Sequence, residues 1–224
     1  MKQNLDPSRR RVLAGSLSTL GLLAMTPLAR LAAAELIRTP PQTRGPFYPL
    51  AIPLDSDNDL VRVEGRAGIA KGEITNVVGR VLDERGRAVV GARIEIWQCN
   101  AYGRYHHPGD RQNVPLDPNF QGYGEFVTGD DGTYRFRTIK PVPYPGRAPH
   151  IHFAVSGPAI EPLVTQMYVA GAPENERDWI LNSIRDARVR SSLLVALENH
   201  PVVTGELVGN FDIVLVADGR FSIK

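Results

Sequence analysis

The chain has 224 residues, of which 42% are hydrophobic and 22% are charged, which excludes an extended disordered chain and suffices for one domain with a sizeable core. The single cysteine, Cys99, excludes a scaffold held together by intrachain disulfides. Without residues 1–34, the chain has 21 basic and 23 acidic residues, so it offers no basic excess for binding nucleic acid.

The first 34 residues have the three parts of a secretory signal. They are a basic head with Arg9–Arg11, an apolar run over residues 12–28, and small residues at Ala32–Ala34. The basic head resembles a twin-arginine motif. Glycine, serine and threonine interrupt the apolar run, so we expect no stable membrane span; an ordinary secretory signal or a retained anchor is the alternative. We therefore expect residues 1–34 to be a twin-arginine-type signal and residues 35–224 to form one domain, exported to the periplasm or the cell exterior.

The rest of the chain has the pattern of a β-protein. The 21 glycines and 18 prolines favour short strands joined by turns. A Pro-rich stretch at residues 35–60 predicts an extended arm that lies on the domain. One helical region is expected at residues 175–199. Strands are expected at residues 74–81, 92–98, 124–128, 133–138, 150–155, 163–169 and 211–217, with a tight turn at Asp130–Gly132.

These elements predict an all-β fold, an antiparallel β-sandwich with a Pro-rich N-terminal arm. One or two short helices are expected near the C-terminal third of the chain. The composition shows no internal repeat that would favour a solenoid or a propeller.

Two histidines have the spacing of metal ligands. His150 and His152 are two residues apart in a predicted strand, so their side chains leave the same face and can reach one ion. The preceding residues 140–149 contain too many prolines for a central strand and predict a rigid loop that holds Tyr144 near the same point. Histidines two apart also occur on surfaces without any metal, and the spacing alone leaves that interpretation open.

Several longer motifs occur in a fixed order along the chain. They lie at Thr43–Pro49, Trp97–Tyr105, Pro115–Phe120, Thr138–Pro145 and His150–Phe153. Together they resemble the intradiol ring-cleavage dioxygenases, most of all the β-subunit-like branch of the protocatechuate 3,4-dioxygenases. The resemblance extends from about residue 40 to residue 216, which is nearly all of the predicted domain.

The resemblance implies a ring-cleaving enzyme with one non-haem Fe(III) per chain. By similarity, Arg147 and Gln166 lie beside the substrate ring, and Tyr144 also acts as a base. The substrates are then a catechol-type compound and dioxygen, and the product is a cis,cis-muconate-type diacid. No organic cofactor is implied. The iron ligands that the resemblance implies are Tyr105, Tyr144, His150 and His152.

The chemistry of these donors agrees with an oxidised iron. Phenolate oxygens are hard anionic ligands, and they favour Fe(III) over Fe(II). Such an ion must lower the pKa of each phenol from its ordinary value of about 10.

The chain departs from the family pattern in two places. Only Pro145 and Gly146 separate Tyr144 from Arg147, where relatives carry a longer insertion, so we expect a more open wall of the substrate pocket. The helical dimerisation region of the catechol 1,2-dioxygenases is also missing. A homo-oligomer and pairing with a related subunit are both open.

Two further side chains of the arm are candidates for substrate contact. Arg44 and Tyr48 would meet a carboxylate or an additional hydroxyl of the substrate if the arm borders the pocket. The alternative is that both residues only pack the arm onto the surface of the domain.

Two other functions compete with ring cleavage. The first is a non-catalytic envelope protein, a transthyretin-like or carbohydrate-binding β-sandwich. The second is a copper or zinc metalloenzyme that uses His150, His152 and one of His106 and His107. The last two are adjacent, so in an extended segment they point to opposite faces and cannot both bind one ion.

Overall fold

The computed structural model describes residues 36–157 and 160–216. The predicted signal at residues 1–34 lies outside the described residues, as does Ala217 at the end of the last predicted strand. Among the residues described, no helix has the length and apolar character that crossing a membrane requires.

The described ranges contain ten strands and two short helices. The helices are α1 (Trp179–Asn182) and α2 (Ala187–Ser191), preceded by a 3-10 turn at Pro173–Glu176. The strands are β1 (Ile74–Asp83), β2 (Arg93–Trp97), β3 (Tyr123–Val127), β4 (Thr133–Ile139), β5 (His150–Ser156), β6 (Leu163–Val169), β7 (Leu194–Val195), β8 (Glu198–Asn199), β9 (Leu207–Asn210) and β10 (Ile213–Leu215).

The strands form two five-stranded sheets. In the first sheet, β1 pairs with β4 along one edge and with β9 and β10 along the other, and β8 extends it beyond β9. The second sheet has the order β3-β2-β5-β6-β7. The turn at Asp130–Gly132 carries the chain from β3 in the second sheet to β4 in the first, and Gly132 adopts the positive φ of 70° that such a turn requires.

The inner faces of the two sheets share one hydrophobic core. Val77 of β1 and Phe136 of β4 belong to the same buried cluster as Ile96 of β2 and Ile151 of β5. Phe153 of β5 lies 5.1 Å between ring centroids from Phe211, which precedes β10 in the first sheet. Each large side chain buried in this way contributes roughly 1.5–3 kcal/mol to stability.

Strand β5 is buried on both faces, and this places the functional site. Ile151 and Phe153 face the core, so His150 and His152 face the opposite side of the second sheet. The Pro-rich arm covers that side. The backbone N–H of Gln42 donates to Val164 O at 2.8 Å, and the side-chain N–H of Gln166, which lies beside His152, donates to Thr43 O at 2.8 Å.

The structure confirms the predicted all-β sandwich and the late, short helices. Most strand pairs of the predicted sandwich are antiparallel, but both sheets are mixed, because β9 and β10 run parallel to β1, and β7 runs parallel to β6. The sequence pattern also missed β9. The predicted helical region at residues 175–199 divides into α1, α2, β7 and β8, because Asp178 and Asp186 each have extended backbone and start a new short helix.

Candidate metal centre

The candidate site lies on the outer face of the second sheet, across three neighbouring strands. The register of β2, β5 and β6 places Trp97 beside His152, and His152 beside Gln166. Two residues further along these strands, on the same face, His150 lies beside Tyr168. All five side chains are at least 99% buried, so the sheet holds a row of polar and aromatic groups away from water.

The two imidazoles converge on each other. His150 Nε2 and His152 Nε2 are 3.2 Å apart. The Nδ1 of His150 lies 2.6 Å from Ala148 O, which can only accept, so Nδ1 carries the proton and Nε2 presents its lone pair. Burial lowers the pKa of His150 to about 3 and the pKa of His152 well below its ordinary value. Both rings are therefore neutral and able to donate to a metal ion at neutral pH.

The ring of His152 is held between an aromatic plane and the arm. Trp97 stacks on it with ring centroids 4.8 Å apart and an interplanar angle of 3°. On the arm, a Cβ added to Gly45 would lie 3.2 Å from His152 Cε1, so the close approach depends on the missing side chain. Gly45 also has a φ of 68°, which favours glycine.

Two tyrosines complete the cluster. The ring of Tyr105 lies 5.7 Å from that of Tyr144 and 6.3 Å from that of His152, and Tyr144 lies 5.4 Å from His150, all between centroids. The Tyr105 backbone N–H donates to Asp110 Oδ2 at 2.8 Å, which fixes the loop that carries it. Burial raises the pKa of both phenols, so without a cation both are neutral.

The chemistry of this cluster fits a trivalent metal ion. The Tyr105 phenol oxygen is buried without a hydrogen-bond partner among the described residues, a situation that costs roughly 1–3 kcal/mol. The Nε2 atoms of two neutral imidazoles at 3.2 Å also need a shared proton or cation between them. A bound cation would satisfy all these atoms and lower the pKa of the phenols. Two phenolate oxygens and two imidazole nitrogens suit Fe(III).

The structure thus brings together all four predicted ligands, whose binding of iron stays a prediction. His106 and His107 do not join them, because the described part of the chain contains no cluster of three or more His, Cys, Asp or Glu residues. Cys99 belongs to no such cluster either, and its buried thiol donates to Val142 O at 3.7 Å. A copper or zinc site built on a third histidine or on Cys99 has no support in this geometry.

Arg147 and Gln166 also lie together beside the cluster. Arg147 Nη2 donates to Gln166 Oε1 at 2.6 Å and to the Tyr168 hydroxyl at 3.1 Å. The Tyr168 hydroxyl in turn donates to Gln42 Oε1 at 2.7 Å, which ties the network to the arm. The sequence analysis missed Tyr168, although its position two residues after Gln166 in a strand places both on the same face.

Asp178 was missed as well. Its carboxylate accepts from Arg147 Nε at 2.9 Å, and its side chain is fully buried. The available signal was an aspartate at the start of a short apolar run, which indicates a helix N-cap but does not indicate a partner 31 residues away.

A cavity of about 400 Å³ opens beside Tyr144 and Arg147. Its volume is within the range of small-molecule pockets, roughly 300–1,000 Å³. A Cβ added to Gly146 would meet no atom within 4 Å, in agreement with the open wall expected from the short Tyr144–Arg147 connection. The remaining lining residues are Pro143, Gly146, Pro173, Glu174, Glu176, Arg177 and Asp178.

Arg44 and Tyr48, the two candidates for substrate contact on the arm, do not line this cavity. The Tyr48 hydroxyl donates to Glu95 Oε1 at 2.8 Å, and the Arg44 guanidinium lies 4.4 Å from the centre of the Tyr48 ring. Both side chains pack the arm onto the sheet, which was the alternative interpretation.

Comparison with known proteins gives a consistent result. Residues 43–217 match the family model described as Dioxygenase. The chain is 42% identical over 168 residues to the protocatechuate 3,4-dioxygenase beta chain of Burkholderia cepacia, covering 71% of each chain. It is 31% identical over 160 residues to the catechol 1,2-dioxygenase of Candida albicans, covering 63% of this chain and half of that protein.

Solved structures show the same fold. The dioxygenase domain of a dioxygenase–carbohydrate-binding protein fusion from Streptomyces sp. SirexAA-E superposes with a TM-score of 0.62 at 29% identity, covering 80% of this chain and 99% of that one. An intradiol ring-cleavage dioxygenase from Tetranychus urticae superposes with a TM-score of 0.64 over 83% of this chain and 97% of that one. At 20% identity, the latter supports the fold alone.

The close approach of Gly45 to His152 generates a prediction. Gly45→Ala should lower the affinity for Fe(III) roughly tenfold or more, because the added methyl group displaces the imidazole that it touches. Gly65→Ala is the matched control, since Gly65 also has a positive φ, 76°, but no atom within 4 Å of an added Cβ. Fe(III) affinity is measured by competition with a chelator. Equal affinity in the two variants would show that the arm does not position His152.

Proposed function

Because the chain belongs to the intradiol ring-cleaving dioxygenases, we propose that it binds one Fe(III) and cleaves a catechol-type ring between its two hydroxyls. The proposed ligands are Tyr105, Tyr144, His150 and His152. The observation that carries the proposal is the convergence of two buried, neutral imidazoles with the buried phenol of Tyr105 and the half-buried phenol of Tyr144 on the outer face of the second sheet. The product is a cis,cis-muconate-type diacid that contains both atoms of dioxygen.

The residues have distinct roles in this proposal. When bound, Fe(III) supplies Lewis acidity and activates the catecholate towards dioxygen. Tyr144 lines the cavity, so its phenolate oxygen is placed to accept a proton from a substrate hydroxyl. Arg147 lines the same cavity, and its guanidinium stabilises negative charge that develops on the ring oxygens. Gln166 holds that guanidinium through its side-chain oxygen.

The site also excludes bulk water from the side of the substrate ring that would face the metal ion. His150, His152 and Tyr105 are at least 98% buried beneath the arm and the Tyr105 loop. Substrate therefore approaches from the cavity, past Tyr144 and Arg147. A dry site strengthens the interaction of the guanidinium with developing charge.

We also propose where the protein works and how it assembles. The basic, apolar and small-residue parts of residues 1–34 support export to the periplasm or the cell exterior by a twin-arginine-type signal. The similarity to a protein named a beta chain supports assembly, either with copies of this chain or with a related subunit. A non-catalytic transthyretin-like or carbohydrate-binding role is not favoured, since it does not explain why two phenols and two imidazoles converge on one point.

The ligand set is tested by a pair of histidine substitutions. His150→Ala should abolish binding of Fe(III) at one ion per chain, because it removes one of the two converging imidazole nitrogens. His106→Ala, at an exposed position outside the cluster, should keep full iron. Iron per chain is measured on the purified proteins by elemental analysis. Loss of metal in His106→Ala would instead support the copper or zinc alternative.

The reaction and the substrate class are tested with a panel of catechols. We expect catechol, protocatechuate and hydroxyquinol under air to give ring-opened products that carry two new carboxyl groups and have gained two oxygen atoms, read by oxygen uptake and product mass. A tight pocket discriminates by 10- to 200-fold for one methylene, so an open cavity should keep alkyl-substituted catechols within about tenfold of catechol in kcat/KM. A yellow semialdehyde product, or no product from any catechol, would contradict the proposed reaction.

A further inference from the structure

The Asp178 carboxylate accepts four hydrogen bonds although it is 99% buried. Its Oδ1 accepts from the backbone N–H groups of Ile180 and Leu181, both at 3.0 Å, and so caps α1. Its Oδ2 accepts from Arg147 Nε at 2.9 Å and from the Ala148 N–H at 2.8 Å. One oxygen thus serves the helix, and the other serves the loop that leads into β5.

The first of these loop contacts fixes the guanidinium of Arg147. Asp178 holds Nε, while Gln166 and Tyr168 hold Nη2, so the planar group is fixed at two of its three nitrogens. Nη1 makes no hydrogen bond within residues 36–157 and 160–216, and Arg147 lines the cavity. The contacts orient the guanidinium and leave donors available for a ligand.

The second loop contact leads to a proposed metal ligand. The peptide N–H of Ala148 donates to Asp178, and the carbonyl oxygen of Ala148 lies 2.6 Å from His150 Nδ1. That carbonyl fixes the tautomer and the direction of the imidazole. Asp178 therefore acts on His150 through one residue of backbone.

The buried ion pair between Asp178 and Arg147 is not explained by its contribution to folding stability alone. Burial opposes ionisation of Asp178, but hydrogen bonds from Leu181 and Ala148 outweigh it and lower the pKa, so the group is a carboxylate. A buried ion pair seldom adds net stability over an apolar pair, because desolvation offsets its attraction. A helix needs no charged partner for its cap, as Asp186 shows on α2.

We propose that Asp178 is a positioning residue that sets both the guanidinium of Arg147 and the imidazole of His150 for ring cleavage. The inference rests on the proposed function for its effect on turnover. Its contacts with the loop stand independently of that function. Since α1 directly follows the cavity-lining residues Glu176, Arg177 and Asp178, the same carboxylate joins one wall of the cavity to the reacting side of the site.

The test compares Asp178→Asn with Asp186→Asn. Both change an N-cap aspartate to the isosteric amide, but within the part of the chain that the structure describes the Asp186 carboxylate accepts only from Arg188 N and Val189 N of its own helix. Asp178→Asn should lower kcat roughly 10- to 100-fold with a smaller change in KM, because the guanidinium acts mainly on charge in the transition state. It should also lower Fe(III) affinity by a similar factor. Asp186→Asn should change neither quantity.

A double-mutant cycle distinguishes positioning from general damage. If Asp178 acts on turnover through Arg147, adding Asp178→Asn to Arg147→Ala should lower kcat/KM much less than it does in the wild-type background. Full additivity of the two effects would overturn the proposal. So would wild-type kcat, KM and iron affinity in Asp178→Asn. If that variant fails to fold by circular dichroism, Asp178→Ser takes its place, since serine caps a helix but is too short to hold Arg147.

A measurement without turnover separates this inference from the proposed function. In the iron-free protein, the Arg147 Nε–H should give a protected NMR resonance that is lost in Asp178→Asn and kept in Asp186→Asn. If wild-type protein turns over no catechol while that resonance behaves as expected, the proposed function fails and the positioning contact stands. If wild-type protein turns over catechol and the resonance is unchanged in Asp178→Asn, the positioning role fails.

Discussion

The site depends on the alternation of side chains in β5. The strand sends Ile151 and Phe153 into the core shared by the two sheets and therefore sends His150 and His152 to the other face. That face is dry, and burial keeps both imidazoles neutral with their Nε2 atoms 3.2 Å apart. At this distance a proton or a cation must lie between the two Nε2 atoms, and the Tyr105 phenol oxygen beside them is buried with no hydrogen-bond partner among the described residues. The fold thus holds the side chains of the site in place, and the two imidazole nitrogens and two phenol oxygens determine which metal ion would suit it.

The N-terminal arm holds side chains of the site that the second sheet alone leaves partly free. Gly45 closes over His152 from one side while Trp97 stacks on the other, so the imidazole has little freedom to rotate. Gln42 accepts from Tyr168, which joins the arm to the hydrogen bonds that hold Arg147. The proposed metal ligands and the groups that hold them are therefore drawn from distant parts of the chain, and a change in the arm should reach the proposed metal site directly.

Sequence patterns predicted the parts of the fold that depend on local periodicity. Alternation predicted the long strands, and the His150–His152 spacing predicted a shared face. The Pro-rich loop before His150 placed Tyr144 near that face, while Tyr105 needed the family resemblance because nothing local relates it to the histidines. The strand β9, the division of residues 175–199 into short elements, and the Asp178–Arg147 pair were not predicted. Each depends on partners far along the chain, such as the pairing of β9 with β1, which no periodicity contains.

The most direct test is a titration of the iron-free protein with Fe(III), followed by visible absorption and resonance Raman spectra. Convergence of two phenols and two imidazoles on one ion predicts saturation at one iron per chain. It also predicts a broad tyrosinate-to-Fe(III) charge-transfer band, with enhanced tyrosine ring vibrations that weaken in Tyr105→Phe. Iron bound without such a band, or ring cleavage by protein that contains no iron, would contradict the assignment of Tyr105, Tyr144, His150 and His152.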